Sequence, residues 1–291
     1  MQKYMSYLSL LVSILLIQSC CLVEFFHNDS NKSNIVVGKY DDTILDIAYS
    51  SLNDGYPINT FEHFEAAIGF GFNSLKTDIR LTGDNNLVLC HDAGFVLNED
   101  GKIVSFKANG KKLLIDNMTA NEIVSLEHAS STKGNKYHPV LAIDYFSLCK
   151  DKSIIPYVTI RNEKVEETID ILFKMLISKN MLDDVIINVF PPSVSTCEYI
   201  RRISNNVYIS YTVGEGEPVS TGLINYVSSL GNAFLCVHKK HLINLSNEMW
   251  SYAGKRGVKI LGWGISDQGE YQSLIRSGCS GGQIVKKEVI L

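Results

Sequence analysis

The sequence predicts an α/β fold, a (β/α)8 barrel, on three observations. Apolar runs of strand length alternate with runs of helical period from residue 44 almost to the C-terminus, the alternation contains eight strand positions, and it occupies roughly 245 residues, close to the usual size of that closed form. Parallel strands need crossover helices, so this alternation reads as a parallel sheet. An open doubly wound sheet is the alternative arrangement.

Before the first strand, Lys3 precedes an apolar run from Tyr7 to Ile17. That run is too short to span a bilayer and has the proportions of a secretory signal. The stretch Leu16-Ile17-Gln18-Ser19-Cys20 resembles a bacterial lipobox, which makes Cys20 a lipidation site, with a plain cleaved signal as the alternative. Residues 1–20 are therefore read as a signal peptide of lipoprotein type. The protein is expected to be exported, a membrane-anchored lipoprotein facing the periplasm or the cell exterior. Residues 21–42 are polar and irregular, as in a flexible tether, and 43–291 form the barrel domain.

The strands are read at 44–49, 74–81 with 87–91, 154–160, 184–190, 207–212, 233–237, 258–263 and 282–285, each a run rich in β-branched or aliphatic residues. Between the first two, Asn59 and Glu62 form a capping-box-like helix start, Phe61, Phe64 and Ile68 share one face, and Gly71 closes the helix. From Glu163 to Lys179, Val165, Ile169, Leu172 and Leu176 recur at helical spacing. Ser246 opens another helix with Trp250 and Ala253 inward, and residues 268–277 form the last, closed by Gly278. Residues 92–140, rich in Lys, Gly and Asn, interrupt the rhythm and read as a small insertion after the second strand.

With 45% hydrophobic residues the chain can bury a large core. A formal charge of −4 offers no basic field for nucleic acid, so small molecules or membrane lipids are the expected partners, and oligomeric state is left open. Seven scattered cysteines without metal-ligand spacing argue against a zinc site, and Cys90 and Cys236 read as small buried hydrophobes.

In such a barrel chemistry sits at the C-terminal ends of the strands, which selects Tyr49-Ser50, Lys76, Asp78, His91, Thr159, Arg161 and Trp263, with His238 and His241 following the sixth strand. Alternation places Lys76 and Asp78 on one face of one strand. They read either as a structural ion pair in the barrel mouth or as part of a ligand site. Asn59 and Thr60 are explained by helix capping, Arg80 as a surface contact, and Trp263 as a core or rim aromatic.

At these positions the chain resembles the glycerophosphodiester phosphodiesterase family, over nearly all of residues 44–285. The family pattern A-H-R-G, P-E-N-T, E-x-D-V-x-x-T-x-D, H-D, E-x-K and W-T-x-N is met by Ala48-Tyr49-Ser50-Ser51, Pro57-Ile58-Asn59-Thr60, Lys76 to Asp84, His91-Asp92, Thr159-Ile160-Arg161 and Trp263 to Ser266. The resemblance implies a TIM barrel of the phospholipase-C-like phosphodiesterase type, with two histidines as acid and base and carboxylates holding Ca²⁺ or Mg²⁺ against a phosphodiester. Carried over by position, His91 is the remaining acid/base candidate and Tyr49 stands where the other histidine is expected. Asp78 is the one carboxylate at the metal positions, the others being Ile58, Lys76 and Thr159, so no cofactor is expected. Lys76, Arg161, Asn59 and Trp263 are the candidate phosphate or substrate contacts. Two functions follow: a protein that kept an anion pocket for a phosphorylated ligand or lipid head group while losing turnover, and a metal-independent phosphodiesterase or lyase using His91 with Lys76 and Arg161 in place of the cation.

Overall fold

A computed structural model of the protein describes residues 39–40, 42–49, 52, 55–129 and 135–290. The expected leader, Cys20, most of the tether and Ser50 lie outside the described residues.

β1 (Leu45–Ala48) leads through α1 (Phe61–Gly69) into β2 (Ser74–Leu81), against whose far end β3 (Leu87–Leu89) folds antiparallel. A small sheet follows, built from β4 (Gly94–Leu97), β5 (Ile103–Val104) and β6 (Lys111–Leu114), then α2 (Ala120–Ser125). The alternation resumes with α3 (Ala142–Lys152), β7 (Ile155–Ile160), α4 (Val165–Ser178), β8 (Ile186–Val189), α5 (Val194–Ile203) and β9 (Tyr208–Thr212). It ends with α6 (Thr221–Ser229), β10 (Ala233–His238), α7 (Lys239–Leu242), α8 (Asn247–Lys255), β11 (Lys259–Ile265), α9 (Gln268–Arg276) and β12 (Gly281–Ile284). The parallel strands run in the order β1, β12, β11, β10, β9, β8, β7, β2, and β2 pairs back to β1. The sheet is thus closed into an eight-stranded parallel (β/α)8 barrel.

Alternation along β2 sets two environments. Leu75 and Ile79 face outward into the layer between strands and helices, where they join residues such as Phe64, Tyr145 and Leu172, while Lys76, Asp78 and Arg80 take the opposite face, toward the barrel interior. The lower interior is apolar, with Leu45, Ile47, Tyr157, Ile186, Phe234 and Leu261. Tyr40 belongs to this inner cluster and is 4% exposed, so the chain is already packed at a position that composition alone assigns to the tether. Above it lies a polar chain: Tyr157 donates to Ser210 Oγ at 2.7 Å, Gln283 Nε2 to Tyr157 Oη at 3.2 Å, and Asn188 Nδ2 to Thr159 Oγ1 at 2.8 Å. Buried polar groups are satisfied by one another here, as they must be away from water.

Two local expectations are corrected. The N-cap of α1 is Thr60, whose hydroxyl accepts from His63 N, whereas Asn59 has φ +60 and uses its side chain elsewhere. The helix buries His63, Phe64 and Ala67, and leaves Phe61 exposed. The 92–140 segment packs Phe95, Ile103, Ile115 and Ile123 with Val88 of β3 and Cys90 just after it into a separate hydrophobic cluster. Among the described residues no helix is long and apolar enough to cross a membrane, and all five cysteines are free and buried.

Candidate functional site

β2 and β7 pair in parallel with Asp78 opposite Thr159, and Arg161 N donates to Ile79 O at 3.0 Å, carrying the ladder past the end of β7. This register brings together three charges that are far apart in sequence. Lys76 Nζ donates to Asp78 Oδ2 at 2.7 Å and Arg161 Nε to Asp78 Oδ1 at 2.8 Å. Asp78 has no solvent exposure and Lys76 only 2%, while the Arg161 side chain keeps 20%. Tyr49 stands over the ammonium, with its ring centroid 4.8 Å from Lys76 Nζ, and the Arg161 guanidinium lies 5.5 Å from the ring centroid of Phe190.

Two cations against one carboxylate leave surplus positive charge in a place of low dielectric. Burial pushes the Asp78 carboxyl up, but Lys76 and Arg161 together outweigh it and hold it below the usual carboxylate range. Burial, opposed by Asp78, lowers Lys76 below the ordinary ammonium value. The Tyr49 phenol is raised, first by burial and then by Asp78. The arrangement can hold an anion through Arg161, whereas Lys76 is sealed and acts on a ligand only through Asp78 and its field.

These side chains do not fit a divalent cation. Ca²⁺ or Mg²⁺ needs several free oxygen ligands, yet both Asp78 oxygens accept from cations, the Thr159 hydroxyl accepts from Asn188, and Ile58 is an apolar side chain, 43% exposed. A fixed ammonium occupies the remaining position.

His91 follows β3, with Nδ1 3.1 Å from Asp92 Oδ1 and its side chain 42% exposed. Its carbonyl accepts from Arg80 Nη2 at 2.8 Å, so Arg80 is a brace between β2 and the end of β3 and not a surface contact. Asn59 is buried, and its Oδ1 accepts from Thr77 Oγ1 at 3.0 Å. His91, Asp92 and Asn59 border a cavity of about 730 Å³ between the 55–59 loop and the small sheet, a cavity that Lys76, Asp78 and Arg161 do not line. Cys90 lines it too, but burial pushes that thiol up to about 12, which removes it as a nucleophile.

Trp263 stands on the rim, its Nε1 donating to Val213 O at 3.1 Å and its ring 4.4 Å from that of His238. His238 caps α7, and His241 Nε2 lies 2.8 Å from Glu215 O, so each is engaged away from the Lys76 cluster. Sequence reasoning missed the brace at Arg80 and the polar chain through Asn188, Ser210 and Gln283. The signal for the latter was available, since each polar residue falls on the inward parity of an otherwise apolar strand.

The profile of the Glycerophosphoryl diester phosphodiesterase family matches residues 52–281. A Caldanaerobacter subterraneus glycerophosphodiester phosphodiesterase is 25% identical over 248 residues, covering 81% of this chain and 92% of that protein. Among solved structures, an Oleispira antarctica phosphodiesterase in complex with the product sn-glycerol-3-phosphate superposes with a TM-score of 0.68 at 18% identity, covering 86% of this chain and 96% of that one. A Thermotoga maritima glycerophosphodiester phosphodiesterase gives 0.64 at 20% identity, with 84% and 96% covered. The profile spans most of the barrel, from just after β1 to the start of β12, and the likeness to solved structures supports the same barrel. The chain therefore belongs to the glycerophosphoryl diester phosphodiesterase family.

Proposed function

We propose that this family member binds a small phosphorylated ligand or lipid head group at the barrel mouth and does not carry out metal-assisted phosphodiester hydrolysis. Asp78 carries the reading: both of its oxygens already accept hydrogen bonds from cations built into the chain. In the family pattern the Lys76 and Asp78 positions hold the dication, and here an ammonium takes that charge. The surplus positive charge suits a phosphate, and Arg161 is the arm left to touch it. Tyr49, its phenol raised above the ordinary value, is a poor proton carrier near neutral pH.

The test uses purified protein with glycerophosphocholine, in Ca²⁺ or Mg²⁺ and in EDTA. The expected result is no release of glycerol 3-phosphate, a rise in Tm with added sn-glycerol 3-phosphate, and loss of that rise in Arg161→Gln. Turnover abolished by EDTA would overturn the proposal. One observation favours a second reading, a metal-independent phosphodiesterase or lyase: His91 is paired with Asp92 and borders a cavity of ligand size, where a general acid can reach a leaving oxygen. Turnover indifferent to EDTA and lost in His91→Ala would establish that reading instead.

A further inference from the structure

We propose that the cavity beside His91 receives an uncharged, mostly hydrocarbon group of the same ligand whose phosphate meets Arg161, so that the ligand class is a phosphate ester of an apolar alcohol. This rests on the anion-binding reading for one end of the ligand and on the cavity for the other. At about 730 Å³ the cavity is of ligand size, and its wall includes Leu89, Phe95, Ile103, Phe106 and Pro139. Among the described residues no lysine or arginine lines it, and its one carboxylate, Asp92, is paired with His91. His128, also in the wall, is pushed down to about 4, mainly by burial, and so is neutral at physiological pH.

A phosphate would meet no lysine or arginine inside this cavity, and an apolar group would meet Leu89, Phe95, Ile103, Phe106 and Pro139. The lip points the same way: Tyr56 and Ile58 are 38% and 43% exposed at the entrance, an apolar edge that a hydrocarbon would cover. The two compartments share a wall. Asn59 is hydrogen-bonded to Thr77 and the His91 carbonyl to Arg80, both on β2, the strand that carries Lys76 and Asp78. Cys90, in the cavity wall, donates its N–H to Asp78 O at 2.9 Å, which sets the cavity beside the cation cluster.

Calorimetric titration with inorganic phosphate, ethyl, butyl and octyl phosphate, and 1-naphthyl phosphate tests the assignment. Affinity should rise about fourfold per methylene over the short chains, from burial of hydrocarbon alone. Comparing octyl with 1-naphthyl phosphate tells an extended chain from a ring, and tight binding of either supports the proposal. Phe106→Ser and Ile58→Ser, both at partly or fully exposed positions, should flatten the chain-length dependence and leave inorganic phosphate affinity unchanged. Octyl and 1-naphthyl phosphate both binding no tighter than inorganic phosphate, or a chain-length slope that survives both substitutions, would overturn it. Binding of octanol without any binding of inorganic phosphate would remove the anion reading and leave the cavity assignment standing.

Discussion

Asp78 accepts from Lys76 on one oxygen and from Arg161 on the other, and its side chain has no solvent exposure. Removing its charge leaves two cations facing each other in the barrel mouth, one of them almost fully buried. Loss of one member of a buried ion pair costs about 3 kcal/mol or more, and Asp78→Asn is expected to lose that much in urea unfolding at pH 7. The pH dependence follows from the direction of the shift. The folded-state value of Asp78 is depressed, so its stabilisation is full above the unfolded carboxyl value of about 3.9 and is lost as pH falls through the folded one. The stability gap between wild type and Asp78→Asn should therefore narrow between pH 5 and pH 2. A gap of constant size across that range would show that the carboxylate charge contributes nothing to folding.

The barrel seam depends on an element whose sequence looks unremarkable. β12 opens with Gly281, at φ +123, opposite Leu45 of β1, and a Cβ added there would lie 2.3 Å from Leu45 O and 2.5 Å from Leu45 N. No flexible side chain is available to yield, because both obstacles are backbone. Gly257, after α8, also has positive φ (+67), but its Cβ would meet nothing within 4 Å. Gly257→Ala should thus cost about 1 kcal/mol from the left-handed conformation alone, and Gly281→Ala about 3 kcal/mol, because the strands must also part. Equal losses in urea unfolding would refute the close-packed seam. The strands themselves were legible because buried parallel strands are continuous apolar runs. Helices α5 and α6 were not marked, although each opens on a capping serine: the Ser193 hydroxyl accepts from Thr196 N and that of Ser220 from Leu223 N. The neighbourhood of Lys76 and Asp78 was legible from alternation within one strand, and Arg161 from its place at a strand end. The cavity was not, because its wall is assembled from residues between 52 and 139 by tertiary folding of a segment with little periodicity of its own.

At the scale of the molecule the two ends of the barrel do different work. The C-terminal mouth carries surplus charge and the cavity, while the N-terminal end is closed by Tyr40, whose ring lies 4.7 Å from that of Tyr208 and 6.4 Å from that of Phe234. Its hydroxyl donates to Asp184 O at 3.0 Å, and Lys39 pairs with the Asp184 carboxylate. Tyr208 opens β9, Phe234 is the second residue of β10, and Asp184 lies two residues before β8. The plug therefore touches the foot of the apolar interior layer and is separated from Asp78 by the polar chain through Tyr157 and Asn188. Truncating a buried aromatic leaves a cavity and costs about 3 kcal/mol or more. Tyr40→Ala should thus lower the urea midpoint by a stability loss of that size. A packed interior transmits a local defect only over neighbouring side chains, so the affinity for sn-glycerol 3-phosphate, measured well below the unfolding transition, should stay within about twofold of wild type. A variant that keeps full stability would mean that Tyr40 rests on the barrel without closing it. A stable variant population with much weakened ligand binding would mean that the polar chain couples the two ends.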